Sequence, residues 1–436
     1  MPKFSALISR LKKHKAMKYL KILSKKLGPG IITGASDDDP SGILTYLQAG
    51  VIMGVSSLWT ALLSLPLMYA IQEMCARLGL VTDKGLMRLI KENYPRWILW
   101  VIALVSGVVI TINIGADLLA ISVVAEKLTN LPRLLWLPLA AGLILFGMVF
   151  FSYKKFVRIL KWLTLSLFFY IITVLYINID WREAILSTIW PADFEWNTTT
   201  IMLVAAIVGT TISPYLFFWQ ADEEVEERNR EKAERKLKRF VVTKHELKDL
   251  KEDTFLGMLF SNGVMWFIIL AAAHLSSFYG LKEIENFDQA ALALKPLLGD
   301  KAFLMFSLGI IGTGLLAIPV LAGSIGYLIA EVFGWREGLN RHFRQAKAFY
   351  AAIIISTLVG MLLAFSGLDP VRLLVYTGVF YTLITPPLIF IIIRLANDKK
   401  LMGKKTNSFT SNALGWTAFA LISLLVIFYL IAESLK

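Results

Sequence analysis

Three consecutive acids inside an otherwise apolar stretch are the residues best placed to do chemistry in this chain. The stretch opens with Gly28-Pro29-Gly30, runs to Gly50, and carries Asp37-Asp38-Asp39-Pro40-Ser41-Gly42 at its middle. Pro40 has no N–H, clashes with the carbonyl one turn back and pushes Asp39 out of the helical region. Gly42 accepts whatever backbone angles follow. The pattern predicts two apolar half-helices joined by a short unwound segment. A second stretch, Gly209-Thr210-Thr211-Ile212-Ser213-Pro214-Tyr215, has the same ingredients: glycine, hydroxyls and a central proline. Carboxylates and freed carbonyls suit cations. Asp39, at the break itself, is the natural direct ligand. Three successive side chains cannot all face one cavity, so Asp37 and Asp38 either sit at an aqueous mouth or cap a half-helix. No basic residue lies near either break to hold a substrate carboxylate, which argues against anionic or zwitterionic cargo.

The frame around these groups is read from composition. Of 436 residues, 56% are hydrophobic and 18% charged, with a mean hydropathy of +0.63. Soluble domains run at about half apolar and about a quarter charged. A disordered chain, a collagen, a disulfide scaffold and an ordinary soluble enzyme are excluded. The one cysteine, Cys75, removes a cysteine-rich metal site as well. A membrane helix needs about 20 apolar residues. Eleven such spans are expected, at 27–58, 59–74, 97–125, 134–151, 162–179, 199–221, 254–274, 302–330, 349–368, 373–393 and 409–432. The alternating segments of a β-barrel do not occur. Residues 1–26 read as a basic amphipathic segment on the membrane surface, not as a signal peptide.

With a cytoplasmic N-terminus, the cytoplasmic segments hold 37 of the 45 Lys and Arg residues. That asymmetry fits the positive-inside rule and puts the C-terminus outside. The net charge of +13 is then topology, not nucleic-acid binding. The charged segment 222–252 reads as a solvated cytoplasmic connector. The two breaks fall in spans 1 and 6, five spans apart, so the second copy is inverted across the membrane. Inverted repeats with discontinuous helices form midplane substrate sites in secondary transporters. The resulting organisation is 1–26 as the amphipathic segment, 27–179 as spans 1–5, 199–393 as spans 6–10 and 409–432 as span 11. No Walker loop, dinucleotide fingerprint or zinc-protease motif is present. An intramembrane aspartyl protease would need a proton-sharing pair such as Asp39 and Asp117, and neither has the surrounding glycine motif of such enzymes.

These residues resemble the Nramp family of divalent metal transporters, which have the LeuT fold. The family's span 1 carries Asp-Pro-Gly-Asn, whose Asp and Asn bind metal; this chain has Asp39-Pro40-Ser41-Gly42. Gly28-Pro29-Gly30, Gln48-Ala49-Gly50, Asp117 within Gly115-Ala116-Asp117-Leu118, and the run Ile269–Ala273 also match. The family's span 6 carries Ala-x-x-Met-Pro-His, with Met and a backbone carbonyl as ligands; here the residues run from Thr210 to Tyr215. The resemblance covers nearly the whole chain. It implies an all-α integral membrane protein with a LeuT-like fold, 5+5 inverted repeats plus one extra span, and a metal site at Asp39, Gly42, Thr210 and Ser213.

The departures form a pattern. Gly42 replaces the ligand Asn, Ser213 the thioether, Tyr215 and Gln220 the two span-6 histidines, and Ala120 an acid after Asp117. The pattern resembles the Nramp-related branch associated with magnesium. Oxygen donors and water suit Mg²⁺ or Mn²⁺, whereas a thioether favours softer metals. Proton coupling is expected to be weak or absent, with Asp38, Asp117, Tyr215 and Gln220 left for proton or supporting roles; Asp117 could equally partner Asn113. A proton-coupled Mn²⁺/Fe²⁺ transporter and a LeuT-fold symporter for an organic cation or amino acid are the alternatives. The implied protein is no enzyme, has no cofactor, takes a divalent metal ion as substrate and sits in a cell membrane of prokaryotic inner-membrane type. Its partners are that ion and the lipid bilayer, with no nucleic acid; the oligomeric state is left open, a monomer being one option.

Overall fold

The computed structural model describes residues 28–151, 167–191, 194–234, 242–365 and 367–434. The expected amphipathic segment 1–26 and the start of the expected fifth span therefore lie outside the described residues. Among the described residues the regular structure is helical. The first stretch forms α1 (Pro29–Asp37) and α2 (Pro40–Met53), and α3 (Trp59–Thr82) follows. Next come α4 (Leu86–Asn93), α5 (Arg96–Thr129), α6 (Arg133–Phe150), α7 (Phe168–Tyr176) and α8 (Trp181–Ile189). The second half holds α9 (Thr198–Thr211), α10 (Pro214–Glu234), α11 (Lys244–Tyr279), α12 (Ala302–Phe333), α13 (Lys347–Leu363), α14 (Pro370–Asn397) and α15 (Phe409–Ser434).

Seven of these segments are long and apolar enough to cross a membrane, among them Thr198–Lys232, in which α9 and α10 run on as one span. Pro40–Ser57 and Trp59–Thr82 add a pair bent by 106°. That bend sets the boundary between the first two apolar blocks, which run together in the sequence. At 17 residues α13 is one turn shorter than a standard span.

The two broken stretches are held at the centre by neighbours that approach to backbone distance. α11 packs along both α1 and α2, α9 packs on α14, and α5 packs on α12. A side chain at Gly34 would collide with the backbone of Gly257, and one at Gly209 with the backbone of Gly378. Small residues let helices approach this closely in lipid, where apolar burial supplies no force between them.

The charged segment corrects one expectation. α10 continues through its first residues, and Asp222, Glu223, Glu224 and Arg228 are 4–8% exposed, so this part is packed into the protein and not solvated. Glu73 and Arg77 form an intrahelical ion pair, at 2.9 Å. Arg77 also donates to the Lys405 carbonyl and to Asn407 Oδ1, both at 2.6 Å, which ties α3 to the segment before α15.

The glycine contacts give a stability test. Gly34→Val should cost more than about 3 kcal/mol, because backbone on the facing helix cannot move aside. Gly107→Val, with no neighbouring atom within 4 Å, should change stability by less than about 0.5 kcal/mol. Melting of the detergent-solubilised variants measures both; equal melting temperatures would contradict the contact.

Candidate metal site

The site is built on two chain breaks. α1 ends at Asp37, Asp38 follows at φ −82°, ψ 55°, and Asp39 is extended at φ −73°, ψ 171°. This is the backbone that Pro40 enforces on its predecessor. Asp39 is the N-cap of α2. Its Oδ1 accepts from the Gly42 N–H and the Ser41 hydroxyl, each at 2.7 Å, and its Oδ2 accepts from Asn113 Nδ2 on α5 at 2.9 Å. The carboxylate therefore collects one helix N-terminus and two side chains, a stabilising arrangement for an anion.

Asp37 and Asp38 are 0% exposed, which overturns the aqueous-mouth reading. Ser261 on α11 donates to Asp37 Oδ2 at 2.5 Å and lies 3.4 Å from Asp38 Oδ1. Asp38 is the C-cap residue of α1. The Ser261 hydroxyl partners Asp37, while Asp37 Oδ1 and Asp38 Oδ2 stay without a hydrogen-bond partner among the described residues.

The second break brings hydroxyls to the same place. α9 stops at Thr211, Ile212 and Ser213 are non-helical, and α10 starts at Pro214. Thr210 Oγ1 lies 3.5 Å from Ser41 Oγ, and Thr211 Oγ1 lies 3.1 Å from the Tyr46 hydroxyl. Met265 Sδ accepts from Thr211 Oγ1 at 3.7 Å. Tyr215 donates to the Ser36 carbonyl at 3.0 Å, so it bridges the second break to the last turn of α1. Ser324 of α12 donates to the Tyr215 carbonyl at 2.9 Å.

Several buried oxygens here have no hydrogen-bond partner among the described residues: Asp38 Oδ2, Asn113 Oδ1, both oxygens of Asp117, Ser213 Oγ and the Tyr381 hydroxyl. The Asp117 carboxyl lies near that of Asp39. Orphaned buried polar groups are uncommon, and a bound ion or ordered water is one explanation for them. Among the described residues no three His, Cys, Asp or Glu side chains form a metal-holding group. The donors on offer are carboxylates mixed with hydroxyls, an amide and carbonyls.

Of the residues expected at the site, the structure brings Asp39, Gly42 and Thr210 into contact and puts Ser213 on the facing break. Gln220 lies elsewhere: it accepts from Thr33 at 2.5 Å and donates to Glu224 at 3.1 Å, nearly two turns past Pro214. Asn113 partners Asp39 instead of Asp117. Asn113, Ser41, Ser261 and Tyr381 were not foreseen in these places. Asn113 carried a signal, since it precedes Asp117 by four residues and so shares its helix face; Ser261 and Tyr381 carried none.

The fold has known counterparts. The chain superposes on a manganese transporter from Eremococcus coleocola, solved with an aromatic bis-isothiourea substituted compound, with a TM-score of 0.70 at 16% identity, over 94% of this chain and 87% of that chain. It also superposes on Mhp1, a nucleobase-cation-symport-1 family transporter in a closed conformation, with a TM-score of 0.60 at 11% identity, over 94% of this chain and 92% of that chain. The fold is thus that of the LeuT-like, all-helical membrane transporters. A family model described as "Natural resistance-associated macrophage protein-like" matches residues 30–432, and the chain belongs to the Nramp family. It is a multi-pass membrane transporter and not an enzyme, and its membership supports divalent metal transport.

Asp117 gives the site's own test. A buried carboxylate with two orphaned oxygens beside another acid is destabilising by about 1–3 kcal/mol. Asp117→Asn should therefore raise the melting temperature; a fall would show that the carboxylate is engaged.

Proposed function

We propose that this chain carries Mg²⁺, Mn²⁺ or both across a cell membrane by alternating access, with weak or absent proton coupling. The observation that supports the reading is the oxygen donor set where the two breaks meet: the Asp39 carboxylate and Gly42 with Thr210 beside them, and the buried Ser213 hydroxyl on the second break. A Cβ at Gly42 would stand 3.4 Å from both Asp39 Oδ1 and Thr210 Oγ1. The same Cβ would stand 3.3 Å from the Asp37 carbonyl, so glycine is the residue that leaves the Asp39 and Thr210 oxygens uncrowded, and Mg²⁺ keeps several of its waters when bound by one or two carboxylates. Ser213 offers a hydroxyl where a thioether would select softer ions. The one thioether hydrogen-bonded at this break, Met265, is already engaged by Thr211.

In this reading Asp39 binds the ion directly, and the Thr210 and Ser213 oxygens complete the protein's share. Asn113 and Ser41 orient the carboxylate, as outer partners of metal ligands do. Asp37, Asp38 and Asp117 are the titratable groups left beside the site, since Tyr215 is tied to Ser36 and Gln220 lies away. The orphaned Asp117 favours a second reading, in which a proton accompanies Mn²⁺ or Fe²⁺. The proposed topology has eleven spans in a monomer of the prokaryotic inner-membrane type, with the N-terminus and the charged segment cytoplasmic and the C-terminus outside. The Lys and Arg asymmetry supports it.

Uptake into proteoliposomes checks the cargo. The wild type should carry Mg²⁺ and Mn²⁺ in mutual competition. Asp39→Ala should lower uptake by at least about 100-fold while the protein stays folded, because losing a mere partner of a ligand costs about 10–100-fold. Ser213→Met with Gly42→Asn should shift preference toward Mn²⁺. Mn²⁺ uptake indifferent to millimolar Mg²⁺ would contradict the proposal.

Coupling is read with a pH dye trapped in the same liposomes. Metal uptake should proceed with little acidification; proton influx that tracks metal flux would favour the second reading.

A further inference from the structure

The broken first span is fastened at each end by one side chain. At the start of α1, Asp253 of α11 accepts from the Gly28 N–H at 2.9 Å through Oδ1 and from the Gly30 N–H at 2.7 Å through Oδ2. Pro29, between them, has no N–H to satisfy. A carboxylate from another helix thus caps donors that α1 leaves without partners. α1 has nine residues, and it rests on α11 mainly through backbone. A Cβ at Gly30 would come within 2.6 Å of Thr254 Cα, and one at Gly34 would collide with Gly257. Such a face parts without side chains having to unthread. Asp253 also lies on the wall of a cavity of about 290 Å³ with Gly28, Pro29, Glu224 and Arg228. Water in that cavity can take over the freed N–H groups, so release costs little.

At the other end of the span, Gln48 of α2 accepts from the Ile284 N–H at 2.9 Å. Ile284 lies in the segment between α11 and α12, and it and Phe287 are 1% exposed where that segment packs down. Between the two fastenings, Asp37, Asp38 and Asp39 are at most 1% exposed. The site is closed from both faces, and a carrier must open one face at a time.

We propose that Asp253 and Gln48 are the latches of the two gates: Asp253 holds α1 shut on the charged face, and Gln48 holds the Ile284 segment shut on the opposite face. The proposal rests on the transport reading, because gates presuppose a cargo, but it does not depend on which ion is carried.

Thiol accessibility tests it. The chain's one cysteine, Cys75, is 0% exposed, and so are Thr33 on α1 and Thr45 on α2. Thr33→Cys and Thr45→Cys serve as reporters, labelled in membrane vesicles of each orientation with an impermeant maleimide. Asp253→Ala should raise Thr33→Cys labelling from the charged face about tenfold, the shift expected when a charge-assisted hydrogen bond is lost, and leave Thr45→Cys protected. Gln48→Ala should raise Thr45→Cys labelling from the opposite face and leave Thr33→Cys protected. If Asp253→Ala does not fold, Asp253→Asn, which keeps one acceptor, should give a smaller rise at the same site. Folded latch variants whose reporters stay as protected as the parent, or rise together on both faces, would overturn the proposal. A wild type that moves neither Mg²⁺ nor Mn²⁺ would instead sink the cargo reading and leave the labelling result standing.

Discussion

A carboxylate at membrane depth is stabilised by donors around it, and Asp39 is where this structure supplies them. Its three hydrogen bonds come from the backbone of α2, from Ser41 and from Asn113 on α5. They exist because Pro40 breaks the helix one residue later and frees an N-terminus beside the acid. Irregular backbone at this depth persists only where protein covers it, and α11 supplies that cover at backbone distance through Gly34 and Gly257. The break, the acid and the glycine seam are therefore one constraint. The second break obeys it as well: Tyr215 returns a hydrogen bond to the end of α1, and Gly209 lets α14 close over the hydroxyl-rich end of α9.

The interruption of both stretches and the place of Asp39 were legible in the sequence, because proline and glycine act on the backbone locally and within two or three residues. The partners were not. Ser261, which donates to Asp37 and lies beside Asp38, is more than 220 positions away, and nothing in its surroundings distinguishes it from an ordinary helix serine. Asn113 was visible as a polar residue on the face of Asp117, but its choice of Asp39 depends on how α5 is rotated against the break. The burial of Asp222, Glu223 and Glu224 was hidden by composition, since a run of mixed charge looks solvated until α10 is seen to carry it inward. Gln220 was placed near the site by correspondence with a family motif; the helical advance past Pro214 carries it to Thr33 and Glu224 instead.

Cargo selectivity follows from the same chemistry. An ion entering between the breaks meets carboxylate, hydroxyl, amide and carbonyl oxygens, with no side chain at Gly42 to crowd them. Hard cations that hold their hydration fit such a site, and a soft ion gains no sulfur ligand from Ser213. The two span-6 positions that carry histidine in the family are here Tyr215, bound to a carbonyl, and Gln220, which does not titrate, so a proton route would run through the acids alone.

Crystals grown with Mn²⁺ and measured at the manganese absorption edge locate the ion. One anomalous peak should sit bonded to the Asp39 carboxylate, beside Thr210 and Ser213, and should weaken when excess Mg²⁺ is added. A peak remote from Asp39, or one that excess Mg²⁺ leaves unchanged, would contradict the proposed site.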